Sequence, residues 1–239
     1  MTAGLAASAT GTASIHHYDT SLIYTPRPLS RGQRSRREVY VFRSPRNQRV
    51  VTVADANAFI LALLLEFDPT VRTYVERPRQ LQLTPKTRID LTFWSQTAAG
   101  AQRFHLIVPA GRATHSTTGT IGLPSHEELR QIGIRNAVEL TLISEPEIAS
   151  SLSQAAVAYE LLPLVWHSER VTSRAIIDAH VKEMLQRVSR LNLLSVINAL
   201  PYSATDVRAT VAWMVHQGKL NLIDHSPGAS DAVLEIVND

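Results

Sequence analysis

One stretch limits what this chain can become. Residues 53–67 read VADANAFILALLLEF, and Asp68-Pro69 follows at once. Good helix formers and a strongly apolar character predict a helix here, and the proline stops it because the residue before a proline is pushed away from helical backbone. The longest apolar run, Phe59 to Leu65, has the length of a core helix and not of a membrane span. Three β-rich segments come next: 71–83 (VRTYVERPRQLQL), 88–94 (RIDLTFW) and 103–108 (RFHLIV), with a turn over 97–102 that carries Gly100. Strands beside a core helix predict an α/β chain, a mixed sheet flanked by helices.

The flanking segments extend this order. Residues 38–43 (EVYVFR) alternate and predict a strand ahead of the helix. A second helix is expected over 125–134, where Ser125 and Glu128 have capping-box spacing, and a strand over 138–143. Residues 1–37 are small, polar and punctuated by proline, which predicts a flexible tail. Residues 38–145 then form the central domain, 146–170 a helical connector with Pro146 near its first turn, and 171–239 a separate C-terminal domain.

In that last domain the pattern predicts helices over 172–187, 192–199 and 203–217, the third capped by Ser203 and ended by Gly218. KLNLID and AVLEIV then flank a turn at Ser226-Pro227-Gly228 as a hairpin. Three helices followed by a hairpin is the order of a winged helix. Its third helix would enter a DNA groove with Ser203, Thr205, Arg208 and His216 exposed and Lys219 at the wing. That surface is weakly basic, so DNA contact and protein docking both stay open.

Charge is distributed unevenly. The formal net charge is +3 and the pI about 9.4. Eight arginines fall between residues 27 and 49, namely Arg27, Arg31, Arg34, Arg36, Arg37, Arg43, Arg46 and Arg49, and Glu38 is the one acid among them. Arginine offers phosphate a planar, two-pronged donor set, so the cluster points to a nucleic-acid backbone; a solvated basic arm is the plainer alternative. The chain has no cysteine, which excludes disulfides and thiolate metal sites, and its N-terminus lacks the order of a secretory signal. A cytoplasmic location is expected. HSTTGTIG at 115–122 reads as a loop without the Gly-Lys-Ser/Thr of a nucleotide site, and His16-His17 are a chance pair more readily than a metal site.

The run SPRNQRVVTVADANAFILALLLEFDPTVRTYVERP, followed by RIDLTFW and RFHLIVPAG, resembles the N-terminal catalytic domain of TnsA-like transposon endonucleases. In that family a helix ends in an LEFDP-like sequence, and a strand of pattern V–x–x–Y–x–x–Q–P follows. Glu66, Phe67, Asp68, Pro69, Val71, Tyr74 and Pro78 keep the pattern, with Arg77 in place of glutamine. Ser44-Pro45-Arg46 is similar to the family's Ser-x-Lys, and a winged helix after the nuclease domain is also a TnsA-like arrangement. The likeness covers roughly residues 38–220 and implies a restriction-endonuclease-like fold.

The resemblance also shows what is missing. The family's Glu-Ser-x-x-Glu falls on Ala54 to Ala58, so both glutamates are alanine, and Asp55 is one place out of register. Its Pro-Asp falls on Ile89-Asp90, which leaves Asp90 as the residual catalytic candidate. Its acid-Val-Lys falls on Val108-Pro109-Ala110, without acid or lysine. One carboxylate is too little for a catalytic Mg²⁺, and an ion pair with Arg88 or Arg103 is the expected role of Asp90.

The expectation is therefore a DNA-associated accessory protein with no cofactor and no membrane association. The resemblance implies, as partners, a transposase with an integrase-type core and an AAA+ regulator. Arg31, Arg34, Arg36, Arg37, Arg43, Arg46, Arg49, Arg208 and Lys219 would hold DNA. Two alternatives stand beside it. One is an Mg²⁺-dependent endonuclease with a relocated site built on Asp90 with Asp55 or Glu66; the other is a winged-helix DNA-binding regulator.

Overall fold

The computed structural model describes residues 23–110, 113–116, 119–225 and 232–237, and within them the chain is mixed α/β. His16, His17, the first part of the expected tail and the Ser226-Pro227-Gly228 turn lie outside the described residues. From Tyr24 onward the expected tail is docked rather than loose. Leu29 is buried, Tyr24 sets its ring edge-on to Trp94 and Phe104, and Ser30 caps a short helix α1 (Arg31–Arg36) in a capping box with Gln33.

Strands β1 (Val39–Ser44) and β2 (Arg49–Ala54) pair as an antiparallel hairpin with Phe42 opposite Val51. Residues 53 and 54, expected in the helix, end β2 instead. The helix α2 (Ala56–Phe67) starts after Asp55, whose side chain accepts from the Ala58 amide at 2.8 Å. That cap fixes the boundary by satisfying a donor that the helix cannot pair internally. Asp68-Pro69 ends α2 as expected.

The segment 71–83 is two strands and not one. Strand β3 (Val71–Glu76) stops at Arg77, whose φ of 48° turns the chain, and Pro78 follows. Then β4 (Gln80–Thr84) pairs with β5 (Thr87–Asp90) as a separate ribbon. Strand β6 (Phe93–Thr97) and β7 (Gln102–Val108) follow around Gly100. The stretch read as a Ser/Thr-rich loop is a hairpin of β8 (Ala113–Ser116) and β9 (Gly119–Gly122). Helix α3 (His126–Arg135), with its Ser125–Glu128 capping box, carries the chain over to β10 (Leu140–Ser144), which pairs parallel with β7.

The resulting sheet has the order β10-β7-β6-β3, antiparallel except at β10. It is covered on both faces, and strand alternation divides its side chains between them. Tyr74 and Phe93 pack with the apolar face of α2, while their neighbours Val75 and Trp94 pack with Phe104, Leu106 and residues of α3.

The connector is two helices, α4 (Glu145–Ser150) and α5 (Leu152–Ser168). After it come α6 (Arg174–Arg187), a three-residue strand β11 (Arg190–Asn192) not expected from the sequence pattern, α7 (Leu193–Ala199) and α8 (Ala204–His216). Strands β12 (Leu220–Ile223) and β13 (Val233–Ile236) complete an antiparallel sheet of order β11-β13-β12. Helix α5 belongs to both halves. It buries Ala155, Ala158 and Leu162 with α2, and Leu161 and Val165 against Ala212 of α8. No helix among the described residues is long and apolar enough to cross a membrane.

Candidate functional site

A cleft of about 590 Å³ opens where the start of α2, the end of β5 and the end of β7 meet. Asp55, Asp90 and Glu145 contribute carboxylates to its wall, and Arg27, Arg37 and Arg88 contribute guanidiniums. The two aspartates that the sequence singled out are thus brought to one place. Glu66 is not, and Glu145, at the join of β10 and α4, was not anticipated.

Each carboxylate is already engaged. Arg27 Nη1 donates to Asp90 at 2.6 Å, and Gln80 and Gln33 donate to the same group at 3.2 and 3.5 Å. The partner of Asp90 is therefore Arg27, not Arg88 or Arg103; Arg88 donates to Gln82 instead. Asp55 accepts from Arg37 at 2.7 Å as well as from Ala58. Desolvation pushes its carboxyl above the ordinary range against the pull of those two donors. Glu145 accepts from Asn57 at 3.3 Å and from the Ala110 amide at 2.9 Å.

This set does not fit a catalytic divalent ion. Mg²⁺ asks for two or more free carboxylate oxygens around one point, and here guanidiniums and amides take them. Among the described residues no group of three His, Asp or Glu is placed to hold a metal. The positions that the resemblance gives to an acid and a lysine are Val108, buried in the core, and Ala110.

The arm that delivers Arg27 is held by a buried arginine. Arg77 donates from Nε to the Arg27 carbonyl at 2.8 Å and from Nη1 to the Thr52 carbonyl at 2.6 Å, while its own carbonyl accepts from the Arg27 amide at 3.3 Å. Desolvation lowers its pKa. Arg77, at the position where the resembled pattern has glutamine, is thus the anchor of the arm.

Glu66 sits elsewhere, at the end of α2 and fully buried. Ser44 Oγ and Tyr74 Oη donate to one oxygen at 2.5 and 2.7 Å; the Arg46 amide and His216 Nε2 donate to the other at 2.8 and 2.9 Å. Burial alone would push this carboxyl up, but the His216, Ser44 and Tyr74 bonds more than offset it, and its pKa lies below the ordinary value. His216 is only 3% exposed, which corrects its expected place on the outer face of α8.

The basic residues separate into two groups. Arg31, Arg34 and Arg36 on α1 are exposed, as is Arg208 on α8. Arg43 is exposed on β1 with its guanidinium over the Trp166 ring. The rest are engaged with partners within the protein. Arg46 donates to the carbonyls of Glu66, Val71 and His216. Arg49 forms a two-pronged pair with Glu76 at 2.9 and 2.6 Å. Lys219 lies over Trp213 and bonds Asp178 at 2.9 Å. Arg37 holds Asp55, as described. No protein-family model matches this chain, and no curated protein matches it.

Proposed function

We propose that this chain is a DNA-associated accessory subunit of a transposition machinery, TnsA-like in layout and without nuclease activity. In this reading the central unit is a restriction-endonuclease-like fold, and α6 to β13 are a winged helix. The order helix, strand, helix, helix, strand, strand supports the second assignment. The observation that carries the proposal is the Arg27–Asp90 pair: on the TnsA-like reading Asp90 is the one catalytic acid left, and the chain's own guanidinium engages it. The exposed arginines Arg31, Arg34, Arg36, Arg43 and Arg208 would grip the DNA backbone. A transposase with an integrase-type core and an AAA+ regulator are the proposed protein partners.

Filter binding of a random-sequence duplex over a salt series tests the DNA part. Affinity should fall steeply as salt rises, because each arginine–phosphate contact releases counterions; a flat response would remove it.

A second reading has one specific observation in its favour, since Asp55, Asp90 and Glu145 share one cleft. In that case the chain would be a metal-dependent endonuclease with a relocated site. Supercoiled plasmid incubated with the protein and Mg²⁺ or Mn²⁺ decides between them. Cutting that Asp90→Ala abolishes would establish the second reading, and intact plasmid supports the first.

A further inference from the structure

Residues 24–37 line the cleft through Arg27, Pro28, Ser30, Gln33 and Arg37, in two parts that are held very differently. The first, 24–29, is fixed. Tyr24 contacts Trp94 and Phe104 with ring centroids at 5.2 and 5.4 Å, Leu29 is buried, and Arg27 is bonded through both backbone groups to the buried Arg77. The second part, 30–37, has no such hold. Helix α1 is six residues long and buries none of them. A helix that short has no stability of its own in water.

The attachment of this second part to the cleft rests on two side chains. Gln33 reaches Asp90 at 3.5 Å, and Arg37 reaches Asp55 at 2.7 Å, with the Arg37 and Asp55 side chains 36% and 38% exposed. An ion pair that open to water contributes little and is screened by salt. On the same segment the guanidiniums of Arg31, Arg34 and Arg36 are exposed and meet no carboxylate among the described residues. A segment that is weakly held on carboxylates and carries three further arginines is built to change its anionic partner.

We propose that residues 30–37 are a flap over the cleft that duplex DNA lifts, pivoting on the fixed segment 24–29 and on β1. The proposal rests on the DNA-binding reading above. Phosphates compete with Asp55 for Arg37 and take Arg31, Arg34 and Arg36 at the same time, in the two-pronged geometry that arginine offers. Lifting the flap leaves Asp55 without its guanidinium and opens the wall that carries Asn57 and Glu145. Occupancy by DNA is thereby turned into a change of charge in the cleft.

The chain has no cysteine, so introduced pairs take nitroxide labels at chosen points. Ser35→Cys with Ser153→Cys reports the flap, and Thr25→Cys with Ser153→Cys reports the fixed segment; all three positions are exposed. Inter-label distances are measured by pulsed electron spin resonance at low salt, without and with a random-sequence duplex. Binding is followed by fluorescence anisotropy in the same samples.

The Ser35 pair should give a narrow distribution that broadens and shifts as the duplex saturates, while the Thr25 pair stays unchanged. Gln33→Ala with Arg37→Ala should give the broad Ser35 distribution with no DNA at all. Bound duplex with an unchanged Ser35 distribution overturns the flap and leaves the DNA reading standing. Broadening of both pairs overturns the division into fixed and movable parts. A narrow Ser35 distribution in the double variant overturns the two anchors. A duplex that does not bind removes the DNA reading and the flap with it.

Discussion

Nε2 of His216, in the last turn of α8, donates to Oε1 of Glu66, in the last turn of α2, at 2.9 Å across 150 residues of sequence. The carboxylate also accepts from Ser44, Tyr74 and Arg46, so donors from three other segments, the β1–β2 turn, β3 and α8, meet on one buried charge. His216→Ala leaves that charge a donor short and opens a small cavity. It should cost about 3 kcal/mol, as expected for a buried hydrogen bond to a charged group together with lost packing. Urea denaturation checks this through a lowered midpoint. Because the folded pKa of Glu66 lies below the ordinary 4.5, its contribution is whole above that value and is lost as the pH falls through the folded value. Glu66→Gln should flatten the loss of stability in that acid window.

His105 predicts a second, separate pH window. Its ring is buried in β7, Nε2 lies 2.8 Å from Ser95 Oγ, and desolvation, with Arg103 nearby, brings its pKa to about 4. The unfolded chain takes up this proton near 6.5 and the folded chain does not, so stability falls as the pH drops from 6.5 to about 4. The loss should be on the order of 3 kcal/mol. Thermal melts across that range check it; His105→Asn should remove most of the slope, and an unchanged slope would show that another group carries it.

The two groups of arginines predict different outcomes for the same substitution. Changing Arg31, Arg34 and Arg36 together to Gln should leave the melting temperature unchanged and lower the salt slope of DNA binding by roughly 2–3, at about 0.9 per phosphate contact. Arg46→Gln or Arg49→Gln should leave the slope alone and destabilise the fold, because each strips donors from buried acceptors. An equal effect on binding from both groups would contradict the separation.

Gly218 predicts a steric effect at the same junction. It follows α8 with φ of +69°, and a side-chain carbon there would run into the Pro69 ring just after α2. Gly218→Ala should destabilise by about 1–3 kcal/mol through overpacking and unfavourable backbone. A lowered urea midpoint checks it.

Much of this fold is legible in local chemistry. Ser125 with Glu128 and Ser203 cap helices where their spacing places them, and Asp68-Pro69 ends α2. What local patterns miss has physical causes. Val53 and Ala54 suit either a strand or a helix, and only the cap at Asp55 decides between them. Arg77 splits 71–83 by turning the backbone to positive φ, which no composition rule assigns to an arginine. Strand β11 is too short to show a period.

The Arg27–Asp90 pair of the candidate site is legible in one partner only. Asp90 is visible through the resemblance, whereas Arg27, 63 residues away in a polar stretch, looks like any basic tail residue. Arg46 and Arg31 are alike in sequence. One follows Ser44 into the turn of a hairpin packed against α2, the other sits on an exposed helix, and tertiary placement alone separates a buried donor from a surface charge.

The meeting of the β1–β2 turn, β3 and α8 on Glu66 of α2 means that the chain cannot be divided at the connector. A fragment ending near residue 170 would keep α2 but lose His216, open its carboxylate to water, and bare Leu161 and Val165 where Ala212 had covered them. Such a piece should be sticky and poorly soluble, while the two fragments expressed together should find each other. The boundary that reads as a linker in the sequence is, in three dimensions, a seam.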